Sequence, residues 1–466
     1  MKNVFTSLLL ILALIPLPLC ASVSGHKASP LEQKMTEAVF RNDIKQVKDL
    51  LSQGASPNSL MPTSGAPVLT NPIMTNNLEM VKLLVDAGAN VNMKDRYGMP
   101  LLHLANRAPM MRLLLQSGAD MYALNKETTA YEYYAEIRVT TEEDKKKGRA
   151  TLKSAKLPKN VYDAALKNME NGWVTKQNII DIVNVYQDFK YDVNRKYLKE
   201  QRSILLIAAE AENYEFITAL LNTTNADVNI RNAGDVSAIN VITAGNKTKR
   251  SDAEYTALLS LMMKKGLLID ATCKGFKDEK VTPLMIAAKQ DYFGRVKALI
   301  KAGAKPNVLN ENHRTAINFA TNFAIVKFLI DNGVDPLNKD KWQQTAIFGH
   351  NDVAVIELLI SKRVKANDQD TDGQTALFST RSPKVVKYLV KKGLNINHID
   401  KKNRSTMEED MFQVLDALRF DYDAQDDFIP KFKCLMKRRM DKKLFRNAYD
   451  MAISSQRSDM IPKVMN

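Results

Sequence analysis

A leucine-rich segment that ends in a tight turn recurs along this chain, and it limits the possible folds more than any other feature. An apolar residue stands four positions before each turn. The turn position holds Gly54, Gly88, Gly118, Gly266, Gly303, Gly333 and Gly393, with Thr224 and Arg363 in two further copies. From 303 onward the spacing is constant. A fixed period of about 30 residues predicts a solenoid of stacked units rather than one globular core.

The most complete unit runs from Thr282 to Asn307. It opens with Thr-Pro-Leu-Met-Ile-Ala-Ala and closes with Leu-Ile-Lys-Ala-Gly-Ala-Lys-Pro-Asn. Both segments resemble the ankyrin repeat, and the resemblance covers nearly all of residues 30–425. It implies an all-α solenoid of stacked helix-turn-helix units joined by hairpin loops. An apolar content of 45% is sufficient for a continuous core in such a stack.

Residue chemistry within the unit supports this interpretation. The opening threonine is expected to cap the first helix by accepting a hydrogen bond from a free N–H group. The closing glycine is expected to end the second helix in the left-handed conformation. Two residues before the threonine, where the family prefers glycine, the chain has Gly98 and Gly373 but also His313, Gln343 and Asn403. Asparagine and histidine tolerate positive φ better than most residues.

Several units depart from the usual length. Those that open at Thr315, Thr345 and Thr375 lack three residues between their two helices, which predicts shortened first helices. Between 118 and 224 the spacing is much longer. There we expect a degenerate unit, with its first helix at 162–166, its second at 178–187, and an insertion over 136–159.

The sequence therefore divides into five parts. They are a signal peptide (1–24), N-terminal ankyrin repeats (30–125), an insertion with a degenerate repeat (126–200), C-terminal ankyrin repeats (201–425), and a basic helical segment with a truncated capping repeat (426–466).

The N-terminus has the pattern of a secretory signal. Lys2 precedes an apolar run over 8–15, and small residues follow Cys20. The run is shorter than the roughly 20 residues that span a bilayer. We expect an exported protein of bacterial type, periplasmic or secreted. The alternative is lipidation at Cys20. Leu19 argues against it, because lipoprotein signals favour a small residue just before the cysteine.

The sequence contains no recognisable catalytic motif. There is no G-x-S-x-G, and Gly245-Asn246-Lys247-Thr248 lacks the first glycine of a P-loop. The histidines have no metal-ligand spacing with Cys273 or Cys434. We therefore expect a non-catalytic protein with no cofactor and no metal.

The hairpin tips are the first candidate site, because the resemblance places protein recognition there and on the first helices. Trp342 is the strongest candidate, since tryptophan is enriched at binding hot spots; the alternative is that it packs on the neighbouring hairpin. Tyr97 has the equivalent position in an earlier unit. The candidate partner-binding residues are Arg96, Tyr97, Glu311, Lys341, Trp342, Asp372, Lys401 and Lys402.

A basic segment near the C-terminus, residues 431–446, is the second candidate. Its cations alternate with apolar residues, a pattern that suits an amphipathic helix on an anionic surface. The alternative is a capping helix with a solvated outer face, which the end of a solenoid requires. The candidate residues for the anionic surface are Lys437, Arg438, Arg439, Lys442 and Lys443.

The resemblance implies a protein–protein interaction scaffold, and the N-terminal pattern predicts that it acts outside the cytoplasm. The alternatives are a secreted effector that engages host proteins, or an adaptor that binds an anionic membrane surface through the basic C-terminal helix. The formal charge of +15 would suit nucleic acid, but an exported chain rarely meets that partner. We expect a monomer that binds one or more proteins.

Overall fold

The computed structural model describes residues 29–406 apart from positions 63, 96, 126–127, 138, 155–158, 160–162, 164–165, 167–172, 197–199, 246–249 and 276–278. The chain forms two compact units. The first comprises residues 1–245 with 264–267, and the second residues 246–263 with 268–466. The expected signal peptide and the segment 426–466 lie outside the described residues.

The first unit is built from helix pairs. Its elements are α1 Pro30–Phe40, α2 Ile44–Ser52, α3 Thr70–Met74, α4 Leu78–Asp86, a 3₁₀ helix Leu101–Leu104, α5 Ala108–Gln116, α6 Ala130–Glu136, α7 Glu142–Ser154, α8 Lys176–Asp188, α9 Ile204–Glu210, α10 Tyr214–Thr223 and α11 Ala238–Ala244. First helices pack on first helices of the next repeat, and second helices on second helices.

The second unit repeats this arrangement with shorter first helices. Its elements are α12 Asp252–Lys264 (the last residue belongs to the first unit), strands β1 Cys273–Lys274 and β2 Lys280–Val281, α13 Pro283–Lys289, α14 Phe293–Lys301, a 3₁₀ helix Ala316–Asn318, α15 Phe323–Asp331, α16 Val353–Ser361, α17 Ala376–Ser379 and α18 Pro383–Lys391. The two strands pair antiparallel. This confirms the all-α solenoid expected from the repeat.

The apolar residue before each turn forms the core. It is at most 4% exposed in every copy that the sequence identified. These residues are Leu50, Leu84, Leu114, Leu220, Met262, Leu299, Leu329, Leu359 and Leu389. A repeat this small cannot enclose a core by itself, so burial comes from the neighbouring repeats.

Helix starts follow the predicted chemistry where the first helix is long. The Thr282 hydroxyl accepts a hydrogen bond from the Met285 N–H at 3.3 Å. In the shortened repeats the first helix is a 3₁₀ turn at Ala316–Asn318 and a single turn at Ala376–Ser379. Residues 346–349 form only a turn. The prediction of shortened first helices is therefore confirmed.

The closing turns adopt the expected left-handed conformation, with one exception. Gly303 has φ +100°, and Arg363 takes the same conformation at φ +74° without being glycine. Thr224 does not: its φ is −127°. Its hydroxyl donates to the Leu220 carbonyl at 2.6 Å and accepts from the Ala226 N–H, so a side-chain turn ends this helix instead.

The long gap in the spacing contains one repeat split by an insertion. Helix α6 packs between the 3₁₀ helix Leu101–Leu104 and α9, while α8 packs between α5 and α10. Helices α6 and α8 are therefore the first and second helices of the same repeat. The expected second helix at 178–187 is confirmed. The assignment of 162–166 as the first helix is wrong, because Ala130–Glu136 takes that place in the stack; positions 162, 164 and 165 themselves lie outside the described residues. The insertion lies inside the repeat, over 137–175.

The ends of this insertion are held beside each other. The Thr140 N–H donates to the Val174 carbonyl at 2.8 Å, and the Val174 N–H donates to the Thr140 hydroxyl at 2.9 Å. The Asn213 side chain, from the next repeat, donates to the carbonyls of Ala135 and Ile137. Trp173 lies under Arg149, whose Cζ is 4.8 Å from the ring centroid. These contacts thus hold the two ends of the insertion close together where it leaves the stack of repeats.

Neighbouring closing loops are joined through the last asparagine of the repeat. The Asn307 side chain donates from Nδ2 to the Gly333 carbonyl at 2.6 Å, and its Oδ1 accepts from the Asp335 N–H at 2.8 Å. Asn58 bonds to Gly88 and Asn90 in the same way. The pattern recurs at Asn92, Asn194 and, through one of the two bonds, at Asn229, Asp270 and Asn367. We call this set the asparagine bridge.

One buried histidine makes the stability of the second unit depend on pH. His350 is 6% exposed and hydrogen-bonded to the Ile317 backbone. Burial lowers its pKa to about 4. In the unfolded chain the His350 imidazole becomes protonated below about pH 6.5, whereas in the folded chain it stays neutral until the pH falls to about 4.

We expect stability to fall as the pH drops from about 6.5 to 4, by about 3 kcal/mol from this group. Urea unfolding at several pH values, followed through Trp342 fluorescence in a Trp173→Phe background, measures the effect. The His350→Gln variant keeps a donor for Ile317 and does not titrate, so its pH dependence should be smaller by this amount. Equal pH dependence of the two proteins would contradict the assignment.

Candidate functional site: the hairpin tips

Each tip of the second unit is a tight loop closed by an Asn or Asp side chain. The Asp340 carboxylate accepts from the N–H groups of Trp342 and Gln344 at 2.9 and 3.0 Å. The same two bonds are made by Asn310, Asp370 and Asp400 in their own loops. Short polar side chains favour this loop because they replace a backbone acceptor.

The fourth position of each tip has positive φ, as the sequence predicted. His313, Gln343 and Asn403 lie at φ +57°, +60° and +59°, beside Gly98 and Gly373 at +77°. These non-glycine residues complete the loops in the left-handed region. Their side chains keep the tips polar where the family usually has glycine.

Successive tips of the second unit are joined to each other. The Lys341 N–H donates to the Asn312 carbonyl at 3.0 Å, Thr371 to Trp342 at 2.8 Å, and Lys401 to Asp372 at 2.9 Å. The residues that carry the candidate side chains therefore belong to one hydrogen-bonded row. We call residues 310–314, 340–344, 370–374 and 400–404 the tip row.

A second set of bonds links the buried carboxylates to the preceding tip. The Asp340 Oδ2 atom accepts from Arg314 Nε at 3.1 Å, Asp370 from Gln344 at 2.9 Å, and Asp400 from Gln374 at 3.2 Å. Each of these three aspartates is at most 9% exposed. Both oxygens of each carboxylate are therefore used within the protein.

Asp400 shows the electrostatic result of this arrangement. Burial by itself would raise the pKa of its carboxyl. The N–H groups of Arg404 and Lys402, with the side chains of Gln374 and Arg404, donate to the charged form and lower the pKa below its usual value. The tip therefore keeps its negative charge in its interior and exposes its cations.

Trp342 combines both alternatives that the sequence left open. Its side chain is 37% exposed. It also packs on the neighbouring hairpin, because Arg314 Cζ lies 4.9 Å from the ring centroid, with Lys341 Nζ at 4.5 Å. Each cation–π contact is worth about 0.5–1 kcal/mol at an exposed site. The ring is thus held in one orientation with an accessible surface.

The other candidate residues of the tip row are exposed beside it. Glu311 accepts from the Lys280 N–H at 3.1 Å, and Lys402 Nζ lies 3.5 Å from the Asp372 carboxylate. Lys401 Nζ donates to the Thr371 carbonyl at 2.8 Å. The structure therefore brings Glu311, Lys341, Trp342, Asp372, Lys401 and Lys402 to one row.

The remaining candidates fall elsewhere. Tyr97 is 69% exposed on a tip of the first unit, where the Asp95 side chain closes the same type of loop. Arg96 lies outside the described residues. Lys437, Arg438, Arg439, Lys442 and Lys443 lie outside them as well, so the structure does not test the anionic-surface site.

Sequence reasoning missed two residues that support the site. Arg314 stacks on Trp342 and bonds Asp340, while Glu279 accepts from Asn310 at 2.6 Å and Asn312 at 2.8 Å. Arg314 directly precedes the opening threonine, which places it against the next tip. The repeat register could have indicated Arg314; Glu279 lies in an expanded loop whose path the register does not give.

The described residues contain no group of three or more His, Cys, Asp or Glu side chains placed to hold a metal ion. Cys273 is buried and reduced, and Cys434 lies outside the described part of the chain. No helix in that part is both long and apolar enough to cross a membrane.

Comparison with known proteins agrees with the repeat geometry. The family model of ankyrin repeats matches residues 35–125, 251–340 and 322–400, together just over half of the chain. The chain belongs to the ankyrin-repeat family. The repeats of this family are, in general, non-catalytic modules of protein–protein interaction.

Curated relatives match shorter stretches. The chain is 37% identical over 133 residues to a putative ankyrin repeat protein of fowlpox virus, covering 22% of this chain and 31% of the relative. It is 29% identical over 99 residues to human protein phosphatase 1 regulatory subunit 27 (21% and 64%). It is 35% identical over 77 residues to the E3 ubiquitin-protein ligase KEG of Arabidopsis thaliana (16% and 5%).

The chain thus spans less than two thirds of the length of each of these relatives. Among solved structures it is similar to the ankyrin repeat domain of Bcl-3, a member of the IκB protein family. The identity is 17%, the coverage 63% of this chain and 97% of that chain, and the TM-score 0.34.

Replacing Asp340 tests whether the buried carboxylates hold the tip row together. Asp340→Ala removes the acceptor for Trp342, Gln344 and Arg314, and we expect a loss of about 2–4 kcal/mol in unfolding free energy. Asp340→Asn keeps an acceptor oxygen and should lose less. Urea unfolding measures both, and an alanine variant as stable as the wild type would show that the tips do not need this side chain.

Proposed function

We propose that this protein binds a protein partner through the tip row of its second unit, with Trp342 as the anchor. The supporting observation is that the Trp342 ring contacts both Arg314 and Lys341 and keeps part of its surface exposed. A side chain that is already oriented loses little rotamer freedom on binding. Aromatic residues of this kind dominate the binding energy of many interfaces.

The remainder of the row suits the rim of such an interface. Lys341, Lys401 and Lys402 are exposed around the anchor, and Asp372 adds an acceptor. Exposed charges at a rim mainly steer encounter and select the partner rather than add affinity. The hydrogen bonds between the tips fix their spacing, so the partner meets a preformed surface.

One relative supports a binding role by its name. Protein phosphatase 1 regulatory subunit 27 is described as a regulatory subunit, and 64% of its length matches this chain. We infer that the shared repeats serve protein recognition in this chain too.

Capture of a partner from cell extract tests this function. The tagged chain should retain at least one protein that a Trp342→Ala variant loses by about tenfold or more, because hot-spot aromatics contribute 2 kcal/mol or more. Phe40→Ala is the matched control, since Phe40 is 45% exposed and distant from the tips in sequence. Circular dichroism confirms that each variant is folded.

Equal capture by the wild type and the Trp342→Ala variant would reject the tip row as the binding site. A Tyr97→Ala variant then tests the tip of the first unit separately. Incorporation of a photo-reactive amino acid at 342 or at 40 identifies the partner and shows which position it touches.

We propose further that the protein is exported and acts outside the cytoplasm. Support comes from the apolar run over 8–15 between Lys2 and the small residues after Cys20.

Fusion of residues 1–28 to a phosphatase that requires disulfides for activity tests export. We expect activity in intact bacteria, and loss of activity when Leu9 and Leu12 are both replaced by arginine. A Cys20→Ser fusion should retain activity if the segment is a simple signal and be mislocalised if Cys20 is lipidated. Equal, low activity of the first two fusions would reject export.

A further inference from the structure

One junction between neighbouring closing loops lacks both hydrogen bonds of the asparagine bridge. Leu337 stands where Asn307 and Asn367 stand in the flanking repeats. It cannot donate to the Arg363 carbonyl or accept from the Lys365 N–H, the groups equivalent to those that Asn307 bonds. Among the described residues, neither backbone group has a hydrogen-bond partner.

The same junction carries a second departure, at the turn that faces Leu337. Arg363 replaces the usual glycine and adopts φ +74°. The left-handed conformation costs a residue with a side chain about 1–2 kcal/mol. The junction thus combines a missing bridge with a strained turn, and both departures reduce stability. Such costs are concentrated at functional positions in natural proteins.

The substituted residues are exposed and surrounded by cations. Leu337 is 46% exposed, and Lys362, Arg363 and Lys365 are exposed beside it. The next closing loop adds Lys391 and Lys392. It lies against this one, because Asn367 donates to the Gly393 carbonyl at 3.4 Å. We call Leu337, Lys362, Arg363, Lys365, Lys391 and Lys392 the rear surface.

The cations of the rear surface make no ion pair within the described residues. None of its five cations lies within 4.0 Å of a carboxylate there. The nearby Asp335 carboxylate instead accepts from the Leu337 N–H at 2.8 Å. Clustered like charges repel one another, so an anionic partner would stabilise this arrangement.

We propose that the rear surface binds an acidic segment of a partner protein. An apolar side chain of that segment would cover Leu337, and its carboxylates would pair with the surrounding cations. The Arg363 carbonyl and Lys365 N–H offer one acceptor and one donor to its backbone. A lipid surface would use the charge but not these two backbone groups, which is why a protein segment fits better. This surface is separate from the tip row and does not depend on the function proposed for it.

Fluorescence anisotropy with a defined probe tests the proposal. The probe is a short labelled peptide of glutamates and aspartates around a central phenylalanine and leucine, at low ionic strength. Its counterpart has glutamine and asparagine in place of the acids. The full chain should bind the acidic probe more tightly than the neutral one, and added salt should weaken binding.

A charge variant and a matched control locate the site. Replacing Lys362, Lys365, Lys391 and Lys392 by serine should weaken binding about tenfold or more. The control replaces Lys45, Lys48, Lys82 and Lys94, all exposed in the first unit, and has the same net charge. Binding that falls equally in both variants, or that the wild type lacks, would overturn the proposal.

A restoring variant separates binding from folding. Leu337→Asn with Arg363→Gly returns the junction to the pattern of its neighbours, so the protein should become more stable while the probe binds several-fold more weakly. Unchanged binding in this variant would overturn the role of the junction.

Vesicles of phosphatidylserine and phosphatidylcholine serve as the competing probe. Vesicle binding that the charge variant loses, without any peptide binding, would assign the surface to lipid and reject the proposal.

Discussion

The hydrogen bonds from the closing asparagine to the next loop are the interaction on which each unit depends. A single repeat is too small to bury its own apolar face, and in the second unit some first helices are reduced to one turn. Stacking supplies the core, but apolar contact alone does not fix how far one repeat is displaced from the next. The asparagine bridge sets that displacement through two directional bonds. At the junction between Leu337 and Arg363, which lacks this bridge, the bonds between successive tips hold neighbouring repeats instead: the Thr371 N–H donates to the Trp342 carbonyl at 2.8 Å.

Local chemistry made much of the fold predictable from sequence. The capping hydroxyl of Thr282, the left-handed turns and the shortened first helices all depend on residues close to one another in the chain. The split repeat was harder, since a periodic pattern assumes a short connection between its helices. The capping box formed by Thr129 and Glu132 marks the true first helix in the sequence, but the insertion that follows conceals the pairing with α8.

The candidate site was harder to predict from sequence than the fold. Sequence indicated Trp342 and left its exposure open, because the answer depends on a side chain 28 positions earlier in the neighbouring hairpin. Arg314 both supports the ring and satisfies the Asp340 carboxylate. Contacts of this type come from the stacking of repeats, so they can be inferred only after the register between repeats is known. Where the register is irregular, as around Glu279, sequence gives no guide.

The insertion inside the split repeat also has a consequence for how the chain folds. The neighbouring repeats on either side join their two helices over three residues, at 105–107 and 211–213, so those helices meet early. Helices α6 and α8 are separated by residues 137–175, and closing a loop of roughly forty residues instead of three costs about 2 kcal/mol more in chain entropy. The repeats on either side can form first and act as a template. The split repeat is then completed late, between two surfaces that already exist.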